Sequence, residues 1–152
     1  MNTLQREEIL QLVPHQYGMC LWDAALDWSG ERIVLESRSH LDPENPLRSD
    51  GQLRALHLCE YGAQAMAVHG GVLARERGER APPGMLVALR GVQLHVTRVD
   101  DLDGPLHCEA TVLAQTPASQ QYGFVIRCGD TVLAEGRAAV MLGLGDTLPA
   151  KA

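Results

Sequence analysis

Apolar side chains recur along this chain with two periods, and the change from one to the other predicts its elements. Over residues 52–77, QLRALHLCEYGAQAMAVHGGVLARER, they return every three to four positions with no proline between, the period of an amphipathic helix. Gly70-Gly71 weakens the later turns by about 1 kcal/mol per glycine relative to alanine. The stretch ERGERAPPG then ends the element. Residues 18–28 and 31–39 predict two strands joined by a turn at Ser29-Gly30. Residues 84–98, 105–115, 120–128 and 131–142 predict four more, with Gly91 marking a bulge in the first of them. HLDPENPLRSDG, residues 40–51, has no periodicity and predicts a loop. A short helix is predicted over residues 3–12, with Asn2 as cap, Gln5 at the capping-box position, Glu7 and Glu8 in the early turns and Pro14 as the stop. Residues 143–152 predict a loose tail.

This order of short helix, two strands, one long helix and four strands is α+β rather than alternating βαβ. A lone long helix must bury its apolar face, and a sheet wrapped around it meets that need. The 152 residues suit a single domain spanning 1–152, large enough to bury a core without staples. With aromatics at only 4%, that core must be built from Leu, Val, Ala and Met. A wrapped sheet also leaves a strand edge and a helix flank open, so a dimer, with itself or with a similar protein, is expected.

Charge and cysteine content narrow the classes of function. The net charge is -6 and no stripe of Arg and Lys is present, which argues against nucleic-acid binding. Arg48, Arg54, Arg75, Arg77 and Arg90 are the positions from which an acidic partner could be held, provided that they cluster. The polar opening MNTLQREEIL does not read as a signal peptide, and no apolar run is long enough to span a membrane. Cys20, Cys59, Cys108 and Cys128 lack CxxC spacing and read as reduced thiols of a cytoplasmic protein. The histidines lack HxH or HxxxH spacing, so no metal site is expected.

One carboxylate stands out on the long helix. At about 100° per residue, Glu60 shares a face with Leu53, Leu56, Ala63, Gln64 and Ala67. An ionised carboxylate in such a stripe must be partnered, face a cavity or shift its pKa, and each condition also suits a catalytic acid or base. The alternative is a solvated helix face on which Glu60 only aids solubility.

The residues around it carry a resemblance. Glu60-Tyr61-Gly62-Ala63-Gln64-Ala65-Met66-Ala67 resembles the E-x-x-A-Q segment on the central helix of FabZ/FabA-type 3-hydroxyacyl carrier-protein dehydratases. Leu12-Val13-Pro14-His15, followed by Met19-Cys20-Leu21-Trp22-Asp23, resembles their L-P-H … L-L-D opening, and Glu44-Asn45-Pro46-Leu47 resembles their N-P lead-in. The chain is most similar to the divergent dehydratase-like proteins of aryl-polyene and xanthomonadin-type pigment clusters, over roughly residues 12–142. The resemblance implies a hot-dog fold, in which an antiparallel sheet wraps around one long helix. It further implies dehydration of an acyl thioester carried by acyl carrier protein or coenzyme A, without a cofactor. Glu60 would be catalytic, and His15, which matches the usually structural opening histidine of the family, is a candidate to contact substrate together with Asn45, His57 and Gln64.

The typical dehydratases carry G-H-F-P before the helix, and its histidine is the base. Here the corresponding stretch, Asn45 to Gly51, contains no histidine. His40, in the loop leading to the helix, is the best topological substitute, ahead of His57 and His15. Three functions remain open: a dehydratase, a non-autonomous subunit lending Glu60 to a related partner, and a thioesterase on the same fold.

Overall fold

The computed structural model describes residues 3–143. Its elements are β1 (Leu4–Gln5), α1 (Arg6–Leu10), β2 (Ala24–Trp28), β3 (Arg32–Ser37), α2 (Leu58–Glu76), β4 (Gly84–Leu94), β5 (Leu106–Thr116), β6 (Ser119–Cys128) and β7 (Thr131–Leu142). The strands form one antiparallel sheet in the order β1-β2-β3-β5-β6-β7-β4. α2 packs on one face of it. Leu58, Tyr61, Ala65, Val68 and Val72 bury against Leu35, Ala110, Tyr122, Phe124 and Ile126. This is the expected architecture of one long helix held by a wrapping sheet.

The boundaries moved wherever tertiary bonds outweighed local pattern. The N-terminal segment begins as a strand, Leu4 pairing with Ala25, before turning into α1. Gln5 caps α1, its N–H donating to Glu8 Oε1 at 3.1 Å. The expected cap Asn2 and the tail from residue 144 lie outside the described residues. The expected strand over 18–28 starts only at Ala24, because residues 19–22 bond to α2 instead of to a neighbouring strand.

α2 begins at Leu58 rather than at residue 52, preceded by a 3-10 turn over Ala55–His57. Residues 53–55 are held extended against the segment that follows β4. The Leu53 N–H donates to Asp100 Oδ1 at 2.8 Å, the Val99 N–H to the Leu53 carbonyl at 2.9 Å, and the Ala55 N–H to the Thr97 carbonyl at 3.0 Å. These bonds also cut β4 short at Leu94. Gly91 supplies the bulge in β4, with φ of 58° and a register shift between Arg90 and Gln93.

Two helix glycines permit close approach. A Cβ at Gly62 would lie 2.8 Å from the Phe124 ring, and one at Gly71 would lie 2.8 Å from both the Leu12 Cβ and the Leu12 carbonyl oxygen. α2 thus touches the sheet at one glycine and the N-terminal segment at the other.

Candidate functional site

Glu60 lies in the first turn of α2, where a carboxylate is favoured by the partial positive charge of the helix N-terminus. The helix turns its core face away from it. Leu58, Tyr61 and Ala65 are buried, whereas Glu60 is exposed and Leu56, one turn back, is 63% exposed. Ala63 and Ala67 continue the strip half-buried. The expected dry stripe around Glu60 is therefore corrected: within one chain this face is open. Leu53 does not share it, being fully buried in the extended segment before the helix.

A second segment runs beside this strip. Leu12 touches α2 at Gly71. Seven residues later Met19 reaches it at Gln64, where the side-chain amide donates to the Met19 carbonyl at 2.6 Å and accepts the Leu21 N–H at 2.9 Å. Trp22 Nε1–H then donates to the Tyr61 carbonyl at 2.8 Å. Residues 12–22 are thus laid antiparallel to the helix, from its last turns towards its first. His15 lies on this segment, between the contacts at Gly71 and Gln64. Its imidazole is half-buried and its Nδ1 is sealed from solvent without a hydrogen-bond partner. Burial holds this imidazole below the ordinary histidine range, while the nearby Glu60 carboxylate pulls the other way.

His40 is fully buried, and its Nε2–H donates to the Leu102 carbonyl at 2.9 Å. Burial, chiefly, holds it neutral-prone, and the neighbouring charges that act on it are those of Arg38 and Arg48, not Glu60. His57 sits at the N-cap of α2, half-buried. Asn45 donates to the Ser39 carbonyl and to the Tyr61 hydroxyl, at 2.9 and 3.1 Å, and its Oδ1 accepts the Leu47 N–H at 2.9 Å. Gln64 and Asn45 thus spend their amides on holding the chain together. Tyr61, beside Glu60, was not singled out in the sequence. Its hydroxyl meets Ser39 Oγ at 2.7 Å and ties the lead-in loop to the helix. Burial first, and then the Glu60 carboxylate, raise the neighbouring Cys59 thiol, which makes it a poor nucleophile.

The five arginines do not form one patch. Arg48 and Arg54 precede α2 and Arg75 and Arg77 close it, about 28 Å apart along a helix of 19 residues. Arg90 is on β4, opposite Arg137 of β7. Among the described residues no helix is long and apolar enough to cross a membrane, and no three His, Cys, Asp or Glu side chains form a cluster that could hold a metal ion. All four cysteines are free thiols.

Comparison with known proteins agrees with this architecture. The profile of the ApeP-like family, described as ApeP dehydratase, matches residues 7–144. The dehydratase heterocomplex ApeI:P from Xenorhabdus doucetiae superposes with a TM-score of 0.80 at 26% identity, covering 88% of this chain and 90% of that one. The HP0420 homologue from Helicobacter felis (TM-score 0.63, 10% identity, 90% of this chain and 88% of that one) shares the fold. So does a hypothetical thioesterase with coenzyme A from Streptococcus pneumoniae TIGR4 (TM-score 0.57, 11% identity, 78% and 83%). No curated protein matches the sequence. With a family match along nearly the whole chain and a hot-dog sheet around α2, the chain belongs to the ApeP dehydratase family, the dehydratase-like hot-dog proteins of aryl-polyene biosynthesis.

Proposed function

We propose that this chain contributes Glu60 to a 3-hydroxyacyl thioester dehydratase site whose groove is completed by a second hot-dog subunit. The observation that carries this reading is Glu60 itself, a carboxylate on an open strip whose other members, Leu56, Ala63 and Ala67, are apolar. A strip of that composition gains most when it is covered. β4 supports the same conclusion. It is the last strand of the sheet, and Met85, Leu86, Val87, Leu89 and Leu94 are exposed along its 11 residues. A long apolar edge without a neighbour is a template for pairing with another chain. The Xenorhabdus relative is described as a heterocomplex, which favours a related but different partner over a second copy.

In the covered groove the chemistry is an elimination. A base takes the α-proton, the double bond forms, and the β-hydroxyl leaves as water with a proton from an acid. Glu60 is the carboxylate of that pair. Backbone N–H groups at the N-terminal end of α2 suit the thioester oxygen as charge builds on it. The acyl chain is carried by acyl carrier protein or coenzyme A, and the four free thiols fit a reducing compartment, the cytoplasm.

The test is to purify the chain alone and together with a hot-dog dehydratase subunit from the same organism, and to follow enoyl formation from a 3-hydroxyacyl carrier protein. Turnover is expected in the mixture and lost with Glu60→Gln in a chain that still melts at the same temperature. Undiminished turnover by that variant would refute the role of Glu60.

A further inference from the structure

We infer that His15 is the imidazole of this site: it shares the groove with Glu60 within one chain and donates a hydrogen bond from Nε2 to an oxygen of the bound acyl thioester. The inference rests on the reading of Glu60 given above and adds a residue to it.

The argument begins with how the chain is laid. The contacts of Leu12 at Gly71 and of Met19 at Gln64 bracket His15 above the same strip of α2 that bears Glu60. Gln64 is one turn beyond Glu60, on the same side of the helix. His15 and Glu60 are therefore close enough for the carboxylate to act on the imidazole, and Glu60 is the charged group that does so. Yet no hydrogen bond joins them. A carboxylate that acts on an imidazole on the same open face without bonding to it leaves room for a third polar atom.

The ring is also unsatisfied in an informative way. Buried polar atoms are rarely left without partners, and an exception calls for a reason. Nδ1 of His15 is such an atom, out of reach of solvent and therefore of any ligand. Neutral imidazole has one N–H and one lone pair, and a sealed, orphaned N–H is the worse tolerated of the two. The proton consequently resides on Nε2, the nitrogen that is not sealed. His15 then presents a donor, and the groove's natural ligand for a donor beside a carboxylate is a hydroxyl or carbonyl oxygen. His40, whose Nδ1 is likewise sealed and without a partner, and His69 offer no such donor, since each already spends Nε2–H on a backbone carbonyl, of Leu102 and of Ser29.

Two measurements test this. The first uses nitrogen-15 NMR of the histidine rings in the full chain, with Glu60→Gln as the variant, and needs no turnover. His15 should show the Nε2–H form at neutral pH, and its titration midpoint should fall in the variant because an attracting carboxylate is gone. A midpoint indifferent to Glu60, or a proton on Nδ1, overturns the inference. The second is turnover by the assembled dehydratase. His15→Gln keeps an N–H where Nε2 stood, and His15→Phe keeps the ring but not the donor. The phenylalanine variant should lose about 10- to 100-fold in kcat/KM, the scale of one donor to a buried oxygen, and the glutamine variant much less. A purely structural role reverses that order, since phenylalanine fills a half-buried site better than glutamine does. If Glu60→Gln abolishes turnover while His15→Phe leaves it intact, the inference about His15 fails and the dehydratase reading stands. If the assembly has no dehydratase activity at all, that reading fails and the NMR result still decides whether the two groups are paired.

Discussion

Replacing Gln64 with alanine isolates the contact that holds the N-terminal segment on the helix. Gln64 is 3% exposed and spends both ends of its amide on this segment. Leu21, whose N–H it accepts, is 1% exposed, so after truncation that N–H is orphaned in the core, at a cost of about 1–3 kcal/mol. Met19 is more open, and its carbonyl can turn to water, which limits that loss to about 0.5–1 kcal/mol. With a small void added, the expected destabilisation is about 2–4 kcal/mol, a large share of the roughly 5–15 kcal/mol that holds a typical domain. In urea the midpoint should fall by about 1–2 M with an unchanged slope. In a thermal scan it should fall by roughly 4–16 °C for a chain of this size. Gln64→Leu is the control: it refills the space and restores neither bond, so it should remain about 2 kcal/mol below the parent protein. A leucine variant within about 0.5 kcal/mol of the parent would show that the two bonds contribute nothing net and that residues 12–22 are held by packing and by the Trp22 bond to the Tyr61 carbonyl.

Gly62→Ala should destabilise although alanine is the better helix former, because its Cβ would meet the Phe124 ring at 2.8 Å; we expect a net loss of about 0–2 kcal/mol, read by urea titration, with Gly62→Ala/Phe124→Leu recovering part of it. His69 donates from Nε2 to the Ser29 carbonyl at 2.7 Å and accepts the Tyr122 hydroxyl proton at Nδ1, 2.5 Å away. Burial holds its pKa below the ordinary value, so the unfolded chain binds the proton first. Its contribution is whole above about pH 6.5 and is lost as pH falls from there through the depressed value, and His69→Gln should flatten that limb of the stability profile. Asp100 is held well below the carboxylate range, first by the Arg98 guanidinium and then by the Leu53 N–H. The stability it adds is present above the ordinary Asp value and disappears as pH falls through the depressed one. Asp100→Asn should thus weaken the protein at neutral pH more than in acid, measured by melting temperature against pH.

The long helix and the strands from β4 onwards were legible because their periodicities, 3.6 and 2, persist over many residues, with bulges such as that at Gly91 shifting the period locally. The boundaries that moved share a different cause. Residues 18–23 alternate like a strand, but they leave a 3-10 turn at Met19, and Gln64 and Tyr61 bond to Met19, Leu21 and Trp22 where a neighbouring strand would have done so. Residues 52–57 continue the apolar pattern of α2, yet Asp100 and the backbone of residues 97–99 claim Leu53 and Ala55. Neither competitor is within 30 positions of the segment it captures, so no local window contains it.

The same limit governs the site. Glu60 could be picked out because its helix and the E-x-x-A-Q string travel together in sequence. Its neighbours across the groove could not, since sequence distance favoured His57, three positions away, and topology favoured His40. What brings His15 alongside is the antiparallel lay of two segments, and that lay depends on small features: a glycine at position 71 that lets Leu12 touch the helix, and an amide at position 64 that catches residues 19 and 21. Those two positions look like a weak helix residue and a candidate ligand when they are read along the chain. In space they are two fastenings of one strap, and His15 is carried between them.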